Sequence, residues 1–411
     1  MKFIYNDLYM ARRFTLFLLT ILVCSTCFTS CRNASKDDGK AKYIFLFIGD
    51  GMGHTNVFLT ESYMSYKAGK LGGEQLTFTK FPYQGDVTNY TAESNITCSA
   101  AAGTAIATGY KTRNGFIGVD ADTVSHPSIA ELLKAEGYKV GIITSVQMND
   151  ATPSVFYAHN SSRGNGYEIA QSIASSGFDF VAGNGFKKHK NKEGKYIGDY
   201  LSENGIKVCY SQEEFKMTSK EDRVVMCEPY NNNVEPRTYF AGAPVPEGHM
   251  SISQFLENAL DKFEQEPFFI MCEGGEIDWA AHSKKTMPTI MSILEFDNAV
   301  KKAYEFYLKH PDETLIVVTA DHATGGSSVG SGDTHLYSVD WEPLVSAFEA
   351  AGCTNTLNQE DNKKLNDASR IGWTTSDHTG DNVPVYAIGK GAERFCGRMD
   401  NTQIKGKILA E

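Results

Sequence analysis

Three short stretches of the sequence place a carboxylate and a histidine close together, each beside a stretch typical of a β-strand. Asp278 and His282 are four residues apart, so on a helix both side chains would point to one face and could bind the same metal ion. Asp321-His322 follows an apolar run, and Asp377-His378 precedes another. One such pair is most often a solvated surface feature. Together the three offer oxygen and imidazole ligands for a site with more than one metal ion.

A further candidate ligand, Asp50, ends a strongly apolar stretch. Tyr43–Ile48 is rich in β-branched and aromatic residues, which predicts a strand buried on both faces of a parallel sheet. Glycines at positions 49, 51 and 53 allow a sharp turn and a close approach of the backbone to a ligand. Asp50 alone could be a solvated turn residue. Because open α/β sheets bind ligands at the carboxyl ends of their strands, the other acidic residues and histidines favour a metal ligand.

Ser99 and Arg163 could act on a phosphate group. Ser99 begins a stretch of small residues, Ser99–Thr108, that predicts a helix. A serine at a helix start is most often an N-cap, but the amino end of a helix also stabilises a deprotonated or phosphorylated serine. Arg163 follows the stretch Asn149–Pro153, and it is either a surface charge or a planar fork that binds phosphate oxygens.

Strands and helices alternate along the chain, which predicts a single α/β domain, residues 42–411, with a largely parallel sheet. The predicted strands are Tyr43–Ile48, Lys139–Ser145, Phe178–Val181, Pro267–Cys272, Thr314–Thr319 and Val383–Ile388. The predicted helices are Thr55–Lys67, Ser99–Thr108, Pro127–Glu136, Tyr167–Ser175, Ser251–Gln265, Thr289–Leu308 and Thr402–Ala410. The polar stretches 187–250 and 327–376 lack strong periodicity, and we predict that they are insertions beside the site.

Composition and charge restrict the class of protein. A chain of 411 residues with 41% hydrophobic and 22% charged residues is an ordinary globular protein that can bury a large core. The formal charge of −11, without any block of lysine and arginine, argues against a nucleic-acid partner. This charge does not attract an anionic substrate either. An anion site must therefore supply its own positive charge, from metal ions or a well-placed arginine.

The N-terminal residues, 1–31, are predicted to be a signal peptide. A pair of arginines precedes the apolar run Phe14–Val23, which is too short to span a membrane, and small and polar residues follow. The last four residues, F-T-S-C, resemble a bacterial lipobox and predict a lipid on Cys31, with a plain cleaved signal as the alternative. Residues 32–41 are polar and predict a flexible tether. We therefore expect export to the periplasm or cell surface and anchoring to the outer membrane; Met10 is an alternative start.

The cysteines beyond the signal peptide include no Cys-x-x-Cys pair, which argues against a thiolate zinc site. Because an exported protein can form disulfides, two pairings stay open from the sequence, Cys209–Cys227 and Cys353–Cys396. Cys98 and Cys272 lie in small-residue or apolar segments, and we predict that both are free and buried.

The motifs together resemble those of the alkaline phosphatase family, which are metal-dependent phosphomonoesterases. In the family's order, the chain carries G-D-G-M-G, C-S-A-A-A-G-T-A, D-A-T-P with A-H-N-S-S-R, E-G-G-E-I-D-W-A-A-H, T-A-D-H-A-T-G-G and D-H-T-G. The resemblance extends from about Lys42 to the C-terminus, and so many motifs in one order make it specific. It implies a three-layer sandwich in which helices flank the sheet. It also implies hydrolysis of small phosphate monoesters to an alcohol and inorganic phosphate.

The resemblance further implies two zinc ions and one magnesium ion. The first zinc would be held by Asp278, His282 and His378. The second would be held by Asp50, Asp321 and His322, beside the nucleophile Ser99, which would form a phosphoserine intermediate. The magnesium would be held by Asp50, Thr152 and Glu273, with Asp150 acting through water. Arg163 would bind the phosphate.

Two positions depart from the family's pattern. Cys98 stands where the family often has an aspartate that orients the phosphate-binding arginine, so we expect Arg163 to hold phosphate more weakly. Trp279 stands where some members carry lysine or histidine near the third metal, which leaves the magnesium selectivity of that site open. The chain is also short for the family, so its oligomeric state, with a homodimer as one candidate, does not carry over.

Two other interpretations were weighed against this one. A sulfatase on the same fold needs a C/S-x-P-x-R motif, which Cys98-Ser99-Ala100-Ala101 lacks. Related phosphodiesterases typically lack counterparts of Arg163 and Glu273. A non-catalytic lipoprotein that binds phosphate or metal would have lost a ligand, and none is missing from the sequence. The monoesterase therefore remains the favoured interpretation.

Overall fold

The computed structural model describes residues 39–227, 249–330, 332, 338–353 and 357–411. Residues 41–411 form a compact unit. The predicted signal peptide, residues 1–31, lies outside the described residues, as do residues 32–38 of the predicted tether. Within the described chain, no helix combines the length and apolar character needed to cross a membrane.

The regular elements are numbered here in chain order. The strands are β1 (Tyr43–Gly49), β2 (Tyr83–Thr88), β3 (Lys139–Thr144), β4 (Phe180–Gly183), β5 (Ile206–Cys209), β6 (Arg223–Cys227), β7 (Phe268–Gly274), β8 (Thr314–Thr319), β9 (Ala323–Thr324), β10 (Ser327–Val329), β11 (Ile371–Trp373), β12 (His378–Thr379), β13 (Val383–Gly389) and β14 (Gly397–Asp400). The helices are α1 (His54–Lys67), α2 (Ser99–Thr108), α3 (Ile129–Ala135), α4 (Ala151–Ser154), α5 (Gly166–Ser176), α6 (Ile197–Glu203), α7 (Gln212–Lys216), α8 (Ile252–Phe263), α9 (Glu276–His282), α10 (Thr286–Tyr307), α11 (Glu342–Ala350), α12 (Gln359–Ala368) and α13 (Gln403–Leu409).

A ten-stranded sheet in the order β14-β2-β13-β8-β1-β7-β3-β4-β6-β5 forms the centre of the fold. All its strands run in one direction except β13, which is antiparallel to both of its neighbours. One group of helices, α1, α8 and α10, packs together, and a second group consists of α2, α3, α4 and α13. These helices flank the sheet, so the predicted three-layer α/β sandwich is confirmed.

Strand β1 lies in the middle of the sheet and is buried on both faces. Every one of its residues is buried, and it pairs in parallel with β7 on one side and β8 on the other. Its aromatic side chains pack on those of β7 and α10; Phe45, for example, makes edge contacts with Phe268 and Phe306. Removing such a buried ring typically costs about 3–5 kcal/mol. The long apolar run that predicted this strand therefore also anchors the sheet.

The predicted strands and helices are present, with shifted ends. Helix α3 begins at Ile129, two residues after the predicted start at Pro127, because Ser128 caps it. The Ser128 hydroxyl accepts from the Glu131 N–H, and the Glu131 carboxylate accepts from the Ser128 N–H. Helix α10 begins earlier than predicted, at Thr286, since Pro288 is tolerated in its first turn.

Strand β2 was missed from the sequence because its apolar pattern is weak. Of its residues only Val87 is buried. A Cβ at Gly85 would lie 2.4 Å from the carbonyl oxygens of Phe395 and Gly397. A glycine here therefore allows a close backbone approach between β2 and the chain leading into β14, and such a contact leaves no hydrophobic signal.

The structure differs from the prediction for residues 187–250. Residues 197–227 form α6, β5, α7 and β6, and the two strands complete one edge of the central sheet. The edge strand β5 has exposed and half-buried positions between buried ones, and β6 beside it has a buried apolar run of only four residues. A run this short does not by itself predict a strand. The rest of this stretch, residues 228–248, lies outside the described residues.

Residues 327–376 contain α11, α12 and the two-stranded β10-β11 sheet. Their apolar side chains form a smaller core with α1 and α10: Leu59, Tyr63, Met287, Ile290, Trp341, Leu344, Val345, Phe348 and Ile371. Just outside this core, β12 pairs with β9, and this pairing joins the chain after Asp321-His322 to His378.

All six cysteines of the described residues are free thiols, including both candidate disulfide pairs. Cys272 is buried as predicted, whereas Cys98 is only partly buried.

Candidate active site

The carboxyl ends of three neighbouring strands bring the predicted acids together. Asp50 directly follows β1, Glu273 lies in β7, and Asp321 lies two residues after β8. The strands are in register, since Ile48 of β1 lies opposite Glu273 on one side and Thr319 on the other. All three carboxylates are buried. The parallel pairing therefore collects them at one edge of the sheet.

One group of candidate metal ligands consists of Asp278, His282 and His378, whose ligand atoms lie within 4.8 Å of one another. Asp278 and His282 share one face of α9, with Nε2 of His282 3.2 Å from Oδ2 of Asp278. His282 Nδ1 lies 2.5 Å from the Ser376 carbonyl, and His378 Nδ1 lies 2.7 Å from the Thr97 carbonyl. Because a carbonyl only accepts hydrogen bonds, each Nδ1 donates, and both Nε2 atoms face the group.

The second group consists of Asp50, Asp321 and His322, again with ligand atoms within 4.8 Å. His322 Nε2 lies 3.5 Å from Asp50 Oδ1 and 3.2 Å from Asp321 Oδ2. The rings of His322 and His378 stack with centroids 3.6 Å apart, so the two groups adjoin. The adjacent residues Asp321 and His322 can serve one site because the chain leaves the sheet at the end of β8.

Thr324 links the two groups and was missed from the sequence. Its hydroxyl donates to Asp278 Oδ1 at 2.5 Å and lies 3.2 Å from His322 Nδ1. It fixes a ligand of each group at once. Its position two residues after the Asp-His pair, within T-A-D-H-A-T-G-G, was the available signal.

The donor set fits divalent cations. Asp50 Oδ1 and Asp321 Oδ2 are buried without a hydrogen-bond partner, which is costly for a carboxylate. Burial and the neighbouring carboxylates raise the pKa of Asp50 well above its usual range, and burial with Asp278 nearby raises the pKa of Asp321 to about 7. Burial lowers the pKa of His322, which favours the neutral imidazole that ligates metals. A bound cation would relieve the repulsion among these acids.

Asp278 differs from the other acids. Burial alone would raise its pKa, but the hydrogen bond from His282 and the nearby imidazoles lower the pKa to about 2. The same hydrogen bond raises the pKa of His282 to about 9. In the structure these two side chains therefore form an ion pair, which a metal ion would replace.

The predicted magnesium ligands Asp50, Thr152 and Glu273 also come together. The Thr152 hydroxyl donates to Asp50 Oδ2 at 3.4 Å and also interacts with Glu273. Burial raises the pKa of Glu273 to about 8. The hydroxyl of Thr144, at the end of β3, donates to Glu273 Oε2 at 2.5 Å, and nothing in the sequence indicated this partner.

Ser99 does not cap the helix that it begins. The N-cap of α2 is Cys98, and no side chain there accepts a hydrogen bond from the helix. Ser99 is only 4% exposed, and its Oγ lies 3.3 Å from His322 Nε2. The alternative N-cap role is therefore wrong, and the hydroxyl faces the second group of ligands at the amino end of α2.

Arg163 is not an isolated surface charge, because its Nη2 donates to Asp150 Oδ1 at 2.9 Å. The other oxygen of Asp150 accepts from Lys187 Nζ. Burial alone would raise the pKa of Asp150, but Lys187 and Arg163 hold the pKa below its usual value. Both oxygens of Asp150 thus bind cationic side chains, and its role through water at the magnesium stays a prediction. Sequence reasoning missed Lys187.

The two departures from the family's pattern lie near these cations. Cys98 Sγ accepts from the Gly115 N–H at 3.1 Å, and the Gly115 carbonyl accepts from the Arg163 N–H at 2.7 Å. Cys98 thus supports the turn that holds the backbone of Arg163, while Asp150 orients the guanidinium. Trp279 is half-buried, and its ring lies 5.4 Å from Lys187 Nζ.

Gly51→Ala is expected to loosen both groups of ligands. Gly51 has φ +72°, and a Cβ there would lie 2.8 Å from Thr324 Oγ1 and 2.9 Å from Asp278 Oδ1. The backbone conformation alone costs an alanine about 1–2 kcal/mol. We expect a lower Tm and a zinc affinity at least about 10-fold weaker, by analogy with the loss of groups that orient metal ligands.

Gly69→Ala is the matched control, because Gly69 has φ +70° and nothing within 4 Å of the added Cβ. It should lower Tm by a similar backbone cost and keep its zinc affinity, measured by competition with a chromogenic chelator. Equal zinc affinity in the two variants would show that the contacts of Gly51 do not support the site.

Comparisons with known proteins identify the family. The family model described as alkaline phosphatase matches residues 41–193 and 245–410. The chain is 31% identical to alkaline phosphatase 3 of Bacillus subtilis, over 90% of this chain and 88% of that protein. It is 29% identical to alkaline phosphatase 4 of the same organism, over 89% and 88% of the two chains.

Solved structures share the fold as well. A cold-active alkaline phosphatase from a psychrophilic Shewanella superposes with a TM-score of 0.76 at 27% identity, covering 90% of this chain and 99% of that one. A mutant alkaline phosphatase of the Antarctic bacterium TAB5, solved with Mg bound in its M3 site, gives a TM-score of 0.69 at 28% identity, covering 90% and 97%. The chain therefore belongs to the alkaline phosphatase family, and it is a metal-dependent phosphoric monoester hydrolase.

Proposed function

We propose that this enzyme hydrolyses small phosphate monoesters through a phosphoserine on Ser99, at a site for two zinc ions and one magnesium ion. One observation carries the proposal. Ser99 Oγ lies 3.3 Å from His322 Nε2, and the same nitrogen lies 3.5 Å from Asp50 Oδ1 and 3.2 Å from Asp321 Oδ2, two buried oxygens without a hydrogen-bond partner. A cation held by these residues would activate the nearby hydroxyl as a nucleophile.

The residues that would hold the ions follow the three groups described above. The first zinc would be held by Asp278, His282 and His378, and the second by Asp50, Asp321 and His322. The magnesium would be held by Asp50, Thr152 and Glu273. Bound metal ions supply positive charge, which lowers the pKa of a serine hydroxyl and neutralises phosphoryl oxygens.

Ser99 performs the covalent chemistry in two displacements. In the first, its deprotonated Oγ attacks phosphorus, the bond from phosphorus to the ester oxygen breaks, and the alkoxide leaves and takes up a proton from solvent. In the second, water attacks the phosphoserine, loses a proton, and the bond from phosphorus to Oγ breaks. Two in-line displacements retain the configuration at phosphorus. The N–H groups at the amino end of α2 favour the negative charge on Ser99.

Arg163 binds the oxygens that do not react. The phosphoryl transition state spreads charge over its equatorial oxygens, and a planar guanidinium can donate to two of them at once. The contact from Arg163 Nη2 to Asp150 orients the guanidinium and leaves its other donors for phosphate. A phosphate diester offers one charged oxygen fewer, which favours monoesters.

Hydrolysis of p-nitrophenyl phosphate and bis-p-nitrophenyl phosphate tests the proposal, with zinc and magnesium added from neutral to alkaline pH. We expect kcat/KM to favour the monoester by about 10- to 100-fold, the effect of losing a hydrogen bond to a charged group. A chelator should abolish the activity, and zinc should restore it. A preference for the diester would instead indicate a phosphodiesterase on the same fold.

We also propose that the protein is exported and anchored to the outer membrane by a lipid on Cys31, facing the periplasm or the outside. The lipobox-like sequence F-T-S-C supports this, together with the polar residues 32–41 that follow it. Such an anchor would be the only contact with a membrane that the enzyme needs.

A further inference from the structure

We propose that Lys187 is a positioning residue of the phosphate-binding end of the site. Its ammonium holds the second oxygen of Asp150, fixes that carboxylate against Arg163, and so sets how tightly phosphate is bound. The inference rests on the proposed role of Arg163 in binding phosphate. Lys187 lies in none of the sequence motifs that indicated the site.

Asp150 is the shared partner of two cations. The residue is only 8% exposed. Its Oδ1 accepts from Arg163 Nη2 at 2.9 Å, and its Oδ2 accepts from Lys187 Nζ. A carboxylate that is held at both oxygens cannot rotate about its terminal bond without breaking a charge-assisted hydrogen bond. The plane of the carboxylate, and with it the direction of the guanidinium, is therefore fixed from both sides.

The backbone of Lys187 is fixed by the residue next to Asp150. The Asn149 side chain is buried, accepts from the Lys187 N–H at 2.7 Å, and donates to the Lys187 carbonyl at 2.7 Å. The same amide donates to the Gly166 carbonyl at 2.7 Å, three residues after Arg163. Asn149 and Asp150 thus tie the Lys187 and Arg163 segments to one buried point. These backbone contacts would not be expected for a surface lysine that only happens to contact Asp150.

Trp279 contacts the Lys187 ammonium from the side of the candidate metal ligands. Its ring centroid lies 5.4 Å from Lys187 Nζ, within the range of a cation–π contact, and it directly follows the candidate ligand Asp278. The Lys187 side chain is still 40% exposed. The ammonium therefore lies at the opening of the site, between the orienting carboxylate and solvent.

Lys187 determines the net charge at this end of the site. Arg163 and Lys187 each carry one positive charge and Asp150 one negative charge, so the three together are positive. Without Lys187, the charges of Arg163 and Asp150 cancel. Because the chain as a whole carries a formal charge of −11, a local positive charge matters for a phosphate dianion.

Lys187→Met removes the charge while keeping a long side chain. We expect the KM for p-nitrophenyl phosphate and the inhibition constant of inorganic phosphate to rise together by about 5- to 20-fold. This is less than for a fully buried charged hydrogen bond, because solvent screens the partly exposed lysine. The kcat should change less than about 2-fold, since a contact made equally in the bound substrate and the transition state affects KM rather than kcat. Lys187→Arg should restore phosphate binding.

Lys190→Met is the matched control. Lys190 is a nearby exposed lysine whose ammonium also lies over an aromatic ring, 4.3 Å from the centroid of Tyr196. It should keep the KM and the inhibition constant of the unaltered enzyme. A thermal melt of each variant identifies any that has lost its fold. Unchanged phosphate inhibition in a folded Lys187→Met variant would overturn the inference.

Phosphate affinity can also be measured without turnover, by calorimetry with inorganic phosphate on the metal-loaded Ser99→Ala enzyme. In that background, Lys187→Met should weaken binding, and Arg163→Ala with Lys187→Met should weaken it by less than the product of the single effects. Independent effects would overturn the positioning role. Full hydrolysis by Ser99→Ala would refute the proposed nucleophile, whatever Lys187 does, so the two failures are distinguishable.

Discussion

Ser99→Ala is expected to lower kcat for phosphate monoester hydrolysis by about 10³- to 10⁶-fold, as removal of a nucleophile does in other hydrolases. The variant lacks the hydroxyl that lies at the amino end of α2, 3.3 Å from His322 Nε2. No phosphoserine can therefore form at this position. Alanine is a good helix former and the next three residues of α2 are alanines, so the fold should persist.

The measurement has two parts. Steady-state hydrolysis of p-nitrophenyl phosphate gives the loss of kcat, and mass spectrometry after acid quenching detects phosphoserine on the unaltered enzyme but not on the variant. Ser175→Ala, at an exposed serine of helix α5, is the control and should retain full activity. Activity of Ser99→Ala within about 10-fold of the unaltered enzyme would refute the assignment, because removing the nucleophile must lower kcat by far more than that.

Removal of the metal ions is expected to abolish activity and to make stability depend strongly on pH. A chelator should reduce hydrolysis to below about 1%, because Arg163 and Lys187 can bind phosphate but cannot lower the pKa of the Ser99 hydroxyl as a bound metal ion would. It should also leave the buried acids without a counter-charge. Above about pH 6.5, we expect the Tm of the metal-free protein to fall as the pH rises.

The sign follows from proton binding. Burial raises the pKa of Glu273 from 4.5 to about 8 and that of Asp321 from 3.8 to about 7. Each acid therefore binds more protons in the folded than in the unfolded protein, and the free energy of unfolding falls as these protons are lost. The ion pair with Asp278 raises the pKa of His282 to about 9, and its stabilisation is likewise lost as the pH rises.

The other two imidazoles act in the opposite direction, since burial lowers the pKa of His322 and of His378. Their effect is confined to pH values below about 6.5, where an unfolded histidine gains its proton. Between about pH 6.5 and 9 the metal-free protein should lose about 3 kcal/mol or more of stability.

Calorimetric melts with chelator at several pH values, and with zinc and magnesium restored, measure this effect. The restored protein should show a higher Tm that changes little over the same range. Glu273→Gln is the matched variant, because it removes at similar size the acid whose pKa of about 8 lies within this pH range, and it should flatten the curve of the metal-free protein. A metal-free Tm that rises between pH 6.5 and 9 would contradict the expectation.

The sequence by itself indicated the ligands and the strands that carry them, because both signals are local. A buried parallel strand such as β1 is a continuous apolar run, and a ligand such as Asp50 directly follows it. The i,i+4 spacing of Asp278 and His282 predicted their shared helix face, and α9 confirms it. The resemblance of the motifs then grouped the ligands, and in the structure the ligand atoms of each of the first two groups lie within 4.8 Å of one another.

Other features had no local signal. Strand β2 is mostly half-exposed, and β5 is a short strand at the sheet edge with only its two end residues buried. Strand β6, next to β5, is buried, but its apolar run is too short to distinguish a strand from a helix segment. Thr144 and Thr324 are ordinary threonines in the sequence and become partners of Glu273 and Asp278 only through the pairing of distant strands.

Only the tertiary structure decided what Ser99 and Arg163 contact. Ser99 could have been an N-cap, and its contact with His322 spans 223 residues of sequence. Arg163 could have been a solvated charge, and the carboxylate that holds it also binds Lys187, 37 residues beyond Asp150. Local spacing determines which residues can share a strand end or a helix face. Which side chains then meet across the site depends on the parallel register of β1, β7 and β8, which no stretch of sequence encodes alone.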